Sequence, residues 1–202
     1  LPRCGGADVP GERRKGGTLN PPSDLAVYGG VSMPWTVAHR ADHAARVLAD
    51  RHYNRQKPGT PQFVPPGRCL VLVAPRAFWV TSWPFAEYVK HRWPGAWVCS
   101  AFRREGGRVL ASDLIRAAVA ATRWKWPDVP PLGMVTFVNA SKVRAKADPG
   151  RCFLLAGFEP DGATAGGLLA FRMRPEVMPA VVSPRGATLS LWGAENDGRG
   201  AP

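Results

Sequence analysis

Residues 69–74 read CLVLVA, and after Pro75-Arg76 the chain resumes over 77–83 as AFWVTSW. An uninterrupted apolar run of strand-forming residues suits a strand buried on both faces. Pro75-Arg76 leaves room only for a tight turn, so 69–83 reads as a hairpin inside a sheet. Both faces of such a sheet must be covered, and the rest of the chain has to supply the cover.

The first cover is a helix over 39–53 (HRADHAARVLADRHY), where Ala44, Val47, Leu48 and Arg51 recur at spacings of three and four. Pro58, Pro61, Pro65 and Pro66 then forbid regular structure up to the hairpin. Residues 84–95 form an irregular aromatic insertion with one helical turn. AWVCSAF (96–102) is a third strand. A second helix covers 111–126, with Ser112 as its N-cap and Leu114, Ile115, Ala118, Val119 and Thr122 as its apolar face. GMVTFV (133–138) is a fourth strand, and PGRCFLLA (149–156) a short helix with Pro149 near its first turn and Gly157 ending it. Two more strands lie near 158–162 and 167–173. The order is an α+β pattern: a mixed, mostly antiparallel central sheet with helices on both faces. The folded domain spans 35–174. Residues 1–34, rich in Gly, Pro and charge, read as a mobile extension. Residues 175–202 read as a tail in which Ala187–Trp192 adds a strand or docks.

Charge narrows the partners. The 27 Lys and Arg against 15 Asp and Glu give a formal +12, which favours a polyanion, nucleic acid before membrane. No run of 18 apolar residues marks a membrane span, and no charged-then-apolar start resembles a signal peptide. Cys4, Cys69, Cys99 and Cys152 form no CxxC pair and match no common zinc spacing, so they read as reduced thiols of a cytoplasmic protein.

Four stretches could carry chemistry. His52, Tyr53 and Asn54 follow one another where the first helix frays. A His can exchange a proton near neutral pH, a Tyr can stack on a base, and an Asn can pair with adenine. The same three also make an ordinary polar helix end. FRREGGRVLASD (102–113) offers Arg103, Arg104, Gly106 and Gly107 as an anion-binding loop ahead of a helix, or a plain exposed loop. Lys142, Arg144 and Lys146 alternate through a basic connection suited to phosphates, or merely solvated. Arg68 adds a cation at the start of the apolar hairpin. His39 and His43 have the i, i+4 spacing of metal pairs but lack a third ligand in sequence. Of eight Trp, most belong to the core, with one or two on 83–97 free to stack on a base.

Taken in order, HYN before a Pro-rich loop, GRCLVL, VTFVNASKVR and GRCFLLAGF resemble the Mom-type DNA modification proteins of bacteriophages over about residues 40–172. The resemblance implies a GNAT-like (N-acyltransferase) fold. It also implies conversion of adenine in double-stranded DNA to an N6-carbamoylmethyl derivative, which shields DNA from restriction in the cytoplasm of a bacterial host. On that basis His52 is a base or a metal ligand, iron being the metal the family suggests. Tyr53 orients the adenine, Asn54 supports it, Arg103 with Ser112 holds the donor, and Asn139 lines the cleft. Two features depart from ordinary GNAT chemistry. The second glycine of Arg103-Arg104-Glu105-Gly106-Gly107 comes one residue early for the pyrophosphate loop, and Phe153 stands where many members place an acidic Tyr. Both argue against acetyl-CoA, so the donor stays open. Two rival readings remain: an acetyl-CoA-dependent N-acyltransferase, and a non-catalytic DNA-binding anti-restriction protein.

Overall fold

The apolar hairpin lies inside a seven-stranded sheet. A computed structural model of the chain describes residues 27–28, 31–143 and 148–187. In chain order the elements are β1 (Val27–Tyr28), β2 (Val31–Ser32), β3 (Thr36–Ala38), α1 (His43–Asp50), β4 (Arg68–Ala74), β5 (Ala77–Trp83), a 3-10 turn (Ala86–Tyr88), β6 (Trp97–Arg104), α2 (Ala111–Lys125), β7 (Met134–Val138), α3 (Arg151–Ala156), β8 (Glu159–Ala163) and β9 (Leu169–Met173). Among the described residues β1 and β2 form a two-stranded sheet, and the large sheet has the order β3-β4-β5-β6-β7-β9-β8. Every neighbouring pair in it is antiparallel except β6 with β7. Among the described residues no helix is long and apolar enough to cross a membrane.

The period-two alternation of the hairpin sorts its side chains between two layers. Val71, Phe78 and Val80 face α1, which buries Ala45, Leu48 and Ala49 against them. Leu70, Leu72, Ala77 and Trp79 face the other way, onto Leu114, Ile115, Ala118 and Val119 of α2 and Phe153 of α3. Thr122 is buried on the same face and has a polar duty. Trp79 Nε1 donates to Thr81 Oγ1 at 2.6 Å, Thr81 and Thr122 share a hydroxyl bond at 2.9 Å, and Thr122 Oγ1 donates to the Ala118 carbonyl at 2.8 Å. The chain of donors ends on a carbonyl, so no buried hydroxyl in it is left unpaired.

Several expectations shift by a residue or a face. α1 begins at His43 because the Asp42 side chain accepts from Ala45 N at 2.8 Å and caps it there. His39 therefore lies outside the helix, with Nδ1 accepting from Ala41 N, and the His39–His43 helical pair does not exist. The buried stripe is Ala45, Leu48 and Ala49, with Ala44 outside, because small alanines let a short helix sit close on the sheet. The first strand of the large sheet, β3, has no counterpart in the sequence reading. At three residues it is too short to show a period, and it is held by pairing with β4 and by Trp35, whose Nε1 donates to the buried Leu114 carbonyl at 2.8 Å.

Burial also extends past both ends of 35–174. Met33 and Met178 join the α2-side core. Arg185 docks on the open edge of β3, its N–H donating to the Trp35 carbonyl at 2.8 Å and its carbonyl accepting from Val37 N at 3.3 Å. An edge strand carries unpaired backbone groups, and these bonds satisfy them. Residues 1–26, and all of Ala187–Trp192 but Ala187, lie outside the described residues.

Gly133 is the tightest point of the frame. It has φ +69°, and a Cβ there would stand 2.1 Å from the Met173 carbonyl oxygen. Its own carbonyl accepts from Trp97 N at 3.0 Å, where β6 and β7 begin their parallel pairing. Gly133→Ala is expected to destabilise the fold by about 1–3 kcal/mol or more, as overpacking against immovable backbone does, read as a lower urea midpoint at unchanged slope.

Candidate functional site

The parallel pairing of β6 with β7 runs through Trp97–Met134, Val98–Val135 and Cys99–Thr136 and then stops. Past that point the two strands diverge. Ser100, Ala101 and Phe102 line one wall of the gap and Phe137 and Val138 the other, with Gly150, Cys152 and Phe153 from α3 and its approach behind. The cleft, open on one side, is about 150 Å3, enough for one small ring or the edge of a larger one. On its β5 side β6 skips a residue, so that Val80 faces Ala101 and Thr81 faces Cys99. Ser100 is the bulged residue, turned out of the ladder, and its Oγ shares a 2.6 Å hydrogen bond with Ser82 Oγ.

The turn after α1 caps this gap. His52 and Tyr53 stack with centroids 4.5 Å apart and planes at 26°, and His52 stands edge-on to Phe78. His52 Nδ1 accepts from Asn54 N at 3.2 Å, which places the proton of the neutral ring on Nε2. Burial, helped by the Arg103 guanidinium and opposed by a backbone hydrogen bond with Phe102, lowers its pKa from 6.5 to about 4. His52 is thus a neutral imidazole at physiological pH. Tyr53 is pushed the other way: burial raises its pKa, against hydrogen bonding with the Asn139 backbone, with Cys99 and Cys152 near enough to add to the rise. It stays a phenol with a proton to give. The cleft thus faces one neutral acceptor and one protonated donor, carried on adjacent residues.

A second, wider chamber of about 670 Å3 opens on the α1 side of His52. It shares His52, Asn54, Ser100 and Ala101 with the cleft. The loop 55–66 forms its outer wall. Arg55 pins that loop, with Nε 2.7 Å from Asp50 Oδ1 and its other nitrogens donating to the carbonyls of Thr60 and Gln62.

The remaining candidates separate into groups. Asn139 reaches the site through its backbone alone, because its side-chain Oδ1 accepts from Ser141 N and Oγ and closes a local turn. Arg103 lies beside His52, but its guanidinium is spent on the Arg51 carbonyl and on Glu105 Oε1. Glu105 also binds Arg51 at 2.7 Å, so the arginine expected to hold a cofactor ties β6 to the end of α1. Arg104 donates to the Gly107 carbonyl at 2.7 Å. Gly106 and Gly107 both take positive φ, with the Arg76 guanidinium packed over Gly106. Ser112 does not cap α2, whose N-cap is Leu110 with no side-chain bond, and it lines neither chamber. The loop and Ser112 therefore do not join the His52 site, and the helix starts two residues earlier than an N-cap at Ser112 implies.

Of the basic candidates, the described residues Arg68 and Lys142 lie at opposite ends of the sheet. Arg68 stacks over Trp83 and Phe85 where β4 begins and β5 ends. Lys142 is exposed in the turn after β7, at the opposite end of the sheet. Arg144 and Lys146 lie outside the described residues. The tryptophans of the insertion are structural: Trp93 is buried on Val135 and Ala170, and Trp83 meets Trp97 and Trp126. Its exposed aromatics are Phe85 and Tyr88.

Ser100 and Thr136, and the place of Cys99 and Cys152 at the cleft, were not expected from the sequence. The one available signal was the pair Cys99-Ser100, which interrupts an otherwise apolar strand with a hydroxyl. Iron, implied by the resemblance, does not fit these residues. His52 already has partners on its ring, and among the described residues no group of three His, Cys, Asp or Glu side chains could hold a metal ion. No family model, curated protein or solved structure matches the chain.

The lowered His52 pKa has a consequence for stability. Between about 4 and 6.5 the unfolded chain binds the proton and the folded one does not, so stability falls as pH falls through that window. Urea midpoints measured from neutral pH downward are expected to drop less steeply across it in His52→Gln than in the intact protein.

Proposed function

We propose that the protein is a DNA-modifying transferase of GNAT-like fold, which attaches a carbamoylmethyl-type group to the N6 amine of adenine in duplex DNA and so protects that DNA from restriction. The observation that carries the reading is the placement of His52 and Tyr53 at the gap between the parallel strands β6 and β7. A seven-stranded sheet in the order β3-β4-β5-β6-β7-β9-β8, parallel only where it splits, supports the GNAT-like part. The formal +12 charge supports a nucleic-acid substrate.

The chemistry follows from what each group can do. The adenine amine is a weak nucleophile because its lone pair is delocalised into the ring, so the base must be extruded and its amine held against the donor carbon. Attack forms the N6–C bond while the bond from that carbon to its leaving group breaks. The attacking nitrogen becomes strongly acidic once the N6–C bond forms, so even an imidazole of pKa about 4 can take its proton. Nδ1 is the atom for this, since it gives up only the 3.2 Å contact with Asn54 N. Tyr53 supplies the proton for the departing group. It lines the same cleft as Phe153, so the phenol absent at 153 is present at 53. Ordinary acetyl-CoA transfer has less support, because Arg103 and Arg104 are already bound to protein partners.

Nucleoside mass spectrometry of plasmid DNA from cells making the protein tests the reading. An altered adenine is expected with the intact chain, none with His52→Ala, and roughly a hundredfold less with Tyr53→Phe, the usual worth of a positioned acid. Unaltered adenine with the intact chain overturns it.

A further inference from the structure

We infer that the end of the β4–β5 hairpin remote from His52 is a surface for single-stranded DNA, in which Arg40, Arg68 and Lys125 hold phosphates while Phe85 and Tyr88 stack on unpaired bases. The inference does not depend on the adenine-modifying reading, because the surface lies away from the cleft. His52 stands against Phe78, whereas Arg68 pairs with Trp83, five residues further along β5. At about 3.3 Å per residue the two places are roughly 17 Å apart along the strand.

Two hollows meet at this end of the sheet, and Arg68 lines both. The first, of about 650 Å3, lies between the start of β4, the end of α2 and residues 186–187, with Arg40, Arg68, Lys125 and Trp126 in its walls. Among the described residues no carboxylate lines it. Arg40 is held in place there by donating to the Pro65 carbonyl at 2.9 Å. The second hollow, of about 470 Å3, continues past Arg68 to Trp83 and Phe85, with Asp128 on its wall. Together they make one concave path, cationic at the first hollow and aromatic at the second. Surfaces that follow an unpaired strand combine these two features, cations for the backbone and rings for the bases.

The rings are set on a firm base. Trp83 Nε1 donates to the Gly95 carbonyl at 3.1 Å, and its ring meets Trp126 at 5.7 Å. The Arg68 guanidinium lies 5.5 Å from the Trp83 ring and 5.9 Å from the Phe85 ring, which keeps cation and ring side by side. Phe85 and Tyr88 stand edge-on to each other at 6.4 Å and are 56% and 76% exposed. In a duplex the base faces are already covered by their neighbours, so such rings find an open face on an unpaired strand. Glu87 is exposed between the two rings. With Asp128 it leaves negative charge beside the rings, where bases pass, while the phosphates meet the carboxylate-free hollow. A carboxylate between two rings also opposes their insertion into an anionic membrane. Charge and ring faces make no call on a 2′-hydroxyl, so DNA satisfies the surface in full.

The test is fluorescence anisotropy with labelled oligo-dT, a duplex of the same length and oligo-U, together with flotation on vesicles containing phosphatidylserine. The intact protein is expected to bind oligo-dT. Phe85→Ala with Tyr88→Ala is expected to weaken that binding by about tenfold or more while leaving duplex affinity unchanged. Both side chains are exposed, and an unchanged urea midpoint checks the fold. Arg68→Gln is expected to lower the slope of log affinity against log salt by about 0.7, the share of one phosphate contact on a single strand. Absence of oligo-dT binding by the intact protein, or binding that the double variant leaves unchanged, overturns the surface. An equal loss on the duplex overturns it in favour of a wedge between paired bases. Tighter binding of oligo-U assigns the surface to RNA, and vesicle binding that is lost in the double variant assigns it to a membrane; either result overturns the inference.

Discussion

The parallel pairing of β6 with β7 ends at Cys99 and Thr136, and the surrounding structure is arranged about that ending. Strands that separate expose backbone donors and acceptors that no neighbour satisfies, a cost the fold must meet locally. Part of the answer is filling: Phe153 and Cys152 close the gap from α3, and Tyr53 closes it from the turn after α1. The rest is redirection. The Ser100 bulge turns β6 aside just past the last pair and ties it to Ser82 on β5. What remains open is a small, partly apolar space in which, among the described residues, His52 and Tyr53 are the titratable rings.

Rigidity is distributed unevenly around that space. On the α2 side Trp79, Thr81 and Thr122 form a satisfied buried chain, and Trp35 bonds back to α2. On the α1 side the segment bearing His52 is held by ion pairs instead: Arg51 and Arg103 share Glu105, and Arg55 holds Asp50. These pairs are partly exposed and each contributes little to stability. Their value is geometric, since they fix where the α1 turn meets β6. A side chain that must move slightly to exchange a proton is better placed on such a segment than in the packed core.

The sequence was most readable where one physical rule acts alone. The hairpin, the apolar face of α2 and the glycine at 157 followed from period and backbone freedom, and Gly157 does take φ +101° at the end of α3. Reading failed where two rules competed. Ser112 has the chemistry of a cap, but Leu110 takes the position because packing of Leu114 and Ile115 sets the helix phase. Arg103 has the chemistry of an anion site, but Glu105 two residues on and the Arg51 carbonyl reach it first. Asn139 has a cleft-lining position, but an Asn two residues before a Ser closes its own turn.

By itself the sequence determined the element order from the first helix onward, helices on both faces of the sheet, the basic charge and the presence of His, Tyr and Asn at one helix end. Those are properties of composition and short-range spacing, and no partner in space is needed to state them. Only the tertiary structure decided that His52 and Tyr53 meet Ser100, Cys99 and Cys152, that Arg68 and Lys142 lie at opposite ends of the sheet, and that His52 is neutral. Each depends on which strands become neighbours and where their pairing stops. Burial and charge beside a group, not its identity, set its protonation.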